Sequence, residues 1–231
     1  MNRLTLTLLL LVCSGCGATA QRITVPYVRC QHVSEGARDA GGEQVYLAAI
    51  PQVVSSDGSG EAPVRRFPAS GGYTFHSGNV VGRDFTDQSG GQQTPPVLWN
   101  GELKSGERLL VLVRLATPLP ANAPLRSAPL LAALSETIGK ESSLREDEKA
   151  TLRHIGVVAR DSDAFKQDQA DTIGAFIVVV TAASMTHDAN VRVIPVQSAR
   201  DAQSGFIGGV RIECDGLRSR YQVGMALEKQ K

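Results

Sequence analysis

Val210-Arg211-Ile212-Glu213-Cys214-Asp215-Gly216-Leu217 opens the segment that decides the fold. Val210, Ile212 and Cys214 alternate with Arg211 and Glu213, the period of a strand with one buried face. Asp215-Gly216 suits a two-residue type I′ turn, because both positions tolerate positive φ. Leu217, Tyr221, Val223, Met225 and Leu227 carry the apolar pattern onto a return strand. A turn at Asp215-Gly216 would pair Cys214 with Leu217 and Val210 with Tyr221, so that the apolar faces agree.

Further strands read outward from that hairpin. Leu109-Leu110-Val111-Leu112-Val113 is a nearly continuous apolar run, which predicts a strand covered on both faces. Residues 173–181 are of the same buried type, and residues 190–196 alternate. Residues 23–33 and 45–54 are the early strands, with Pro51 marking an edge or a bulge. Residues 78–96, rich in Gly, Gln, Asp and Thr, read as a long loop. Leu130, Leu131, Leu134 and Ile138 recur at helical spacing, and Leu152, Ile155 and Ala159 define a second helix. Ser143-Leu144-Arg145-Glu146 reads as the capping box that opens it. The expected fold is an all-β sandwich with an α-helical insertion around residues 125–160.

The 231 residues include 24 basic and 23 acidic side chains, a net charge of +1. So balanced a surface cannot neutralise a phosphate backbone, which argues against a nucleic-acid partner. Nor is there a Lys/Arg cluster of the kind that holds an anionic membrane.

The first twenty residues read as a targeting segment. Arg3 is a short positive region, and residues 4–12 are an apolar run too short to cross a bilayer. Two cleavage sites compete. Ala18-Thr19-Ala20 would leave Gln21 as the new N-terminus. Ser14-Gly15-Cys16 resembles the end of a bacterial lipoprotein signal, with Cys16 acylated and Cys13 where that pattern prefers Leu. The lipoprotein reading is preferred, which places residues 21–231 as one domain in the periplasm or on the outer membrane, with secretion as the alternative. In an oxidising compartment, the two remaining cysteines, Cys30 and Cys214, are most simply one disulfide, joining the first strand to the second-last.

Three segments, in order, resemble a C2-type β-sandwich: Asp39 to Tyr46 leading into a strand, Leu98-Trp99-Asn100 before a core strand, and Asp171-Thr172-Ile173-Gly174 opening a late one. Asp161-Ser162-Asp163 is similar to the Asp-x-Asp of that family's third loop. Departures are Glu43 in place of Asp, no Pro before Tyr46, and Thr172 within the acidic pair. The resemblance extends to uncharacterised exported bacterial proteins with this core. Asp161, Asp163, Asp168 and Asp171 form a carboxylate-rich loop, the type of donor set Ca2+ takes, with Asp39 and Glu43 as donors from a second loop. The spacing is not that of an EF-hand, since Lys166 and Thr172 stand at loop positions six and twelve. The competing reading is a solvated polar loop after a helix.

His32, His76, His154 and His187 show no metal-ligand spacing. There is no Gly-x-Ser-x-Gly elbow and no phosphate-cradling loop. Trp99 reads as a core anchor. The expectation is a non-catalytic binding or adaptor module of a bacterial envelope, with an unidentified protein partner. The alternatives are an inhibitor or immunity-type protein, working through the helical insertion or the 78–96 loop, and a hydrolase with a loop-built site.

Overall fold

The computed structural model describes residues 19–39, 41–55, 58–60, 62–76, 80–81, 85–86, 92–93, 95–118, 127–162, 165, 170–181, 191–202 and 209–229. β1 (Thr19–His32) leads through a short helix, α1 (Glu35–Asp39), into β2 (Glu43–Ser55). β3 (Gly58–Ser59), β4 (Arg65–Phe67) and β5 (Tyr73–Phe75) border β2. The two-residue strands β6 (Val80–Val81), β7 (Phe85–Thr86) and β8 (Gln92–Gln93) punctuate the expected long loop. β9 (Val97–Leu103) and β10 (Arg108–Pro118) precede the helices α2 (Ser127–Lys140) and α3 (Glu146–Asp161). β11 (Ala170–Thr181), β12 (Arg192–Gln197), β13 (Ala199–Asp201), β14 (Gly209–Gly216) and β15 (Ser219–Lys229) complete the order.

Apart from β7 and β8, which pair only with each other, these strands make two facing antiparallel sheets. One runs β13-β14-β15-β1-β6, with β9 also on β1; the other runs β12-β11-β10-β2-β3, with β4 and β5 also on β2. The chain is an all-β sandwich with a helical insertion, because α2 and α3 fall between the hydrogen-bonded neighbours β10 and β11.

The apolar run in β10 is covered twice, as its composition predicts. Leu109, Val111, Val113 and Leu115 face the β1–β15 sheet, in a core with Ile23, Trp99, Ile212 and Val223. Leu110, Leu112 and Ala116 point the other way, onto Leu130, Leu134, Leu152 and Ile155 of the helices. The layers are therefore sheet, sheet, helix pair. Pro51 pairs with Val111 on one side. Its other side lies between the stretches of β2 bordered by β4 (Leu47 to Ala49) and by β3 (Val54 and Ser55), where no ladder amide is needed.

Two local expectations are corrected. The capping box of α3 is centred on Arg145 and Glu148 rather than on Ser143 and Glu146: Arg145 N–H donates to Glu148 Oε2 at 2.9 Å. Glu148 is buried, with Arg108 of β10 and Arg192 of β12 each 3.7 Å from its carboxylate. Those two cations fix Glu148 as the glutamate that closes the cap. In the C-terminal hairpin the turn is Leu217-Arg218, not Asp215-Gly216, so Cys214 pairs with Tyr221 and Val210 with Met225. Both turn residues have positive φ, 57° and 63°, as a two-residue loop requires. Gly216 is occupied otherwise: a Cβ there would lie 2.3 Å from the Ile173 carbonyl oxygen of the facing sheet. It is a close-approach glycine rather than a turn glycine.

Candidate functional site

At one end of the sandwich three pieces meet: the end of β1, the start of β2 and the β14–β15 hairpin. β1 pairs with β15 so that Cys30 stands opposite Tyr221 and His32 opposite Arg220. β14 pairs with β15 so that Cys214 also stands opposite Tyr221. The two cysteines thus flank Tyr221, two inter-strand spacings apart, about 9.5 Å. A disulfide needs Cα atoms within about 7 Å. The expected Cys30–Cys214 bond is therefore a correction: both are buried free thiols.

Beneath this end lies a buried polar network centred on Glu43, which is 7% exposed. Ser219 Oγ donates to Glu43 Oε1 at 2.9 Å, and Tyr221 Oη donates to Oε2 at 2.5 Å. The Ser34 amide donates to Ser219 Oγ at 3.0 Å, which ties the chain after β1 to the same point. Tyr221 is also hydrogen-bonded to the Cys30 thiol, and its ring meets Phe75 edge-on at 5.3 Å. Burial raises the Cys30 pKa, partly offset by the Tyr221 hydrogen bond, while the negative charge of Glu43 raises it further. Burial alone pushes Cys214 up to about 12. Tyr221 is raised by burial first and then by its bond to Glu43. All three groups are held in their neutral forms near neutral pH, so neither thiol is a thiolate nucleophile there.

Above the network is an open concavity lined by His32, Asp215, Arg218, Ser219 and Arg220. Arg220 clamps Asp215 with Nε at 3.1 Å and Nη2 at 3.0 Å. Arg218 projects beside them, exposed, with no hydrogen-bond or ion-pair partner among the described residues.

Of the sequence-derived calcium donors, Asp39, Glu43, Asp161 and Asp171 fall within the described residues. Asp39 is exposed on α1, Asp161 is exposed at the end of α3, and Asp171 is half-buried at the start of β11. Glu43 is engaged by Ser219 and Tyr221. Asp163, Asp168 and Cys16 lie outside the described residues. Among the described residues no three His, Cys, Asp or Glu side chains are placed to hold a metal ion. His32, His76 and His154 are exposed, and His187 lies outside the described residues. Among the described residues no helix is long and apolar enough to cross a membrane.

A buried arginine sits where the acidic loop runs into β11. Arg114 is fully buried; its Nε donates to Thr172 Oγ1 at 3.0 Å, and its guanidinium stacks over Phe165 at 5.3 Å. Thr172, which interrupts the acidic pair, thus accepts from Arg114.

Sequence reading missed Ser219, Arg218 and the role of Tyr221. A signal for Ser219 was present: it shares the inward parity of Tyr221 and Val223, and a hydroxyl at an inward position implies a buried partner. Compared with family models, with curated proteins and with solved structures, the chain matches none.

Proposed function

We propose that this chain is an exported, lipid-anchored envelope protein that acts as a non-catalytic binding or adaptor module, holding its contact surface away from the membrane. The observation that carries the reading is the course of β1. It starts at Thr19, three residues after Cys16, and ends at His32 beside the hairpin concavity. Three residues reach about 10 Å. Fourteen residues of strand span roughly 45 Å. An acyl group on Cys16 would therefore lie at one end of the sandwich and the concavity at the other.

The strand also favours cleavage before Cys16 over cleavage after Ala20. Thr19 pairs with Leu103 and Ala20 with Glu102. Cutting at Gln21 would remove both pairings. It would also place a charged amino group on a residue that is 1% exposed and paired on both sides, with Lys229 and Gly101. Burying such a charge without a counter-ion is costly. The binding reading is supported by the Glu43 network, whose Ser219 and Tyr221 hydroxyls are both spent on the buried carboxylate.

Mass spectrometry of the mature protein tests the anchor: acyl-modified Cys16 at the N-terminus is expected, and an unmodified Gln21 terminus would refute it.

A further inference from the structure

Leu217 and Arg218 are an unusual choice for a hairpin tip. Bulky residues at positive φ are conformational outliers, and two in succession are disfavoured by the contact of Cβ with the following carbonyl. Asn-Gly would fill the same turn without that contact. Leu217 is 36% exposed, one of two large apolar side chains so placed among the described residues. Gly216 explains why the turn falls here, through its approach to Ile173, but not why these two side chains occupy it.

The tip is also held still. Ser219, at its base, is buried and bonded to both Ser34 and Glu43, and Arg220 clamps Asp215 across the turn. With Asp215 neutralised by Arg220, the concavity presents Arg218 and the His32 imidazole with no opposing carboxylate of its own. A local conformational cost, an exposed apolar group and a guanidinium unpaired among the described residues, on a rigid base, are the features of a preorganised contact.

We propose that the Leu217-Arg218 tip and the concavity beside it dock an acidic segment of a partner protein, a carboxylate meeting Arg218 and a neighbouring apolar side chain meeting Leu217. The apolar contact selects a peptide over a simple polyanion. The proposal rests on the binding-module reading, and it is independent of the anchor.

The test uses the full mature chain and an array of capped hexapeptides pairing Glu or Asp with an adjacent apolar residue. Gln/Asn counterparts, polyglutamate and inorganic phosphate are the comparison probes. Binding to the acidic–apolar peptides is expected. It should fall at least about tenfold for the Gln/Asn counterparts and for Arg218→Glu, the loss expected of one charge-assisted contact. The double variant Leu217→Asn, Arg218→Gly should lose binding while melting at least about 2 °C higher, because it relieves the turn. Equal binding to Arg218→Glu, equal binding to phosphate or polyglutamate, or a lower melting temperature for the double variant would each overturn the proposal. A partner recovered from the envelope equally by the wild type and the double variant would sink the tip and leave the binding module standing. Recovery of no partner by either would sink the module itself.

Discussion

Replacing Tyr221 by Phe tests whether the Glu43 network holds this end of the sandwich. The substitution removes one hydroxyl and leaves the ring, so the edge contact with Phe75 and the burial between Cys30 and Cys214 persist. What is lost is the 2.5 Å bond to Glu43 Oε2, together with the hydrogen bond to the Cys30 thiol, inside a region where Tyr221 is fully buried. A hydrogen bond to a charged group contributes about 1.5–3 kcal/mol, and the Glu43 oxygen left behind cannot be reached freely by water. The expected destabilisation is therefore about 1.5–3 kcal/mol, or roughly 3–12 °C in melting temperature for a chain of this size. Urea unfolding at pH 7 gives the free energy, provided the denaturant slope is unchanged. A cycle with Glu43→Gln then isolates the pair: the double variant should be less destabilised than the sum of the singles, by about 1 kcal/mol or more. A loss below about 0.5 kcal/mol for Tyr221→Phe, or strict additivity in the cycle, would refute the reasoning.

Other consequences follow from the same geometry. Gly216→Ala should destabilise by about 1–3 kcal/mol, because its Cβ would meet the Ile173 carbonyl oxygen at 2.3 Å; urea unfolding measures this, and a neutral result would return Gly216 to the turn. Without reductant, the mature protein should titrate no thiol with a thiol reagent when native and two when unfolded, since Cys30 and Cys214 are buried and unbonded; finding none after unfolding would restore the disulfide. The Cys214 thiol is raised from 9.0 to about 12, so the folded state binds its proton more tightly than the unfolded chain. Its contribution is complete below pH 9 and is lost as pH rises towards 12, with a slope of up to about 1.4 kcal/mol per pH unit that Cys214→Ala should remove from pH-dependent unfolding curves. Finally, Glu43→Gln should lower the melting temperature equally in millimolar calcium and in chelator, because Ser219 and Tyr221 already occupy that carboxylate; a shift confined to calcium would return Glu43 to a metal site.

The structure's agreements and corrections with the sequence reading divide along a physical line. The doubly covered strand at Leu109–Val113, the helix stripes of Leu130, Leu134, Leu152 and Ile155, and Trp99 as a core residue were all legible, because each is a question of which face is apolar. The Glu43 network was not. Its members are far apart in the chain, and Glu43 looked like a donor to a loop cation until Ser219 and Tyr221 were brought to it from the other sheet. The cap of α3 moved from Ser143 to Arg145 for a similar reason, since Arg108 and Arg192 select Glu148 from outside the helix.

What the sequence determined by itself is the inward face of each strand, since alternation has a period of two and survives any even slip in register. What only the tertiary structure decided is the register. The hairpin turn lies two residues beyond Asp215-Gly216, preserving the apolar face, because Gly216 must admit the Ile173 carbonyl. That register, together with the pairing of β1 on β15, sets Tyr221 between Cys30 and Cys214 and keeps the two thiols apart.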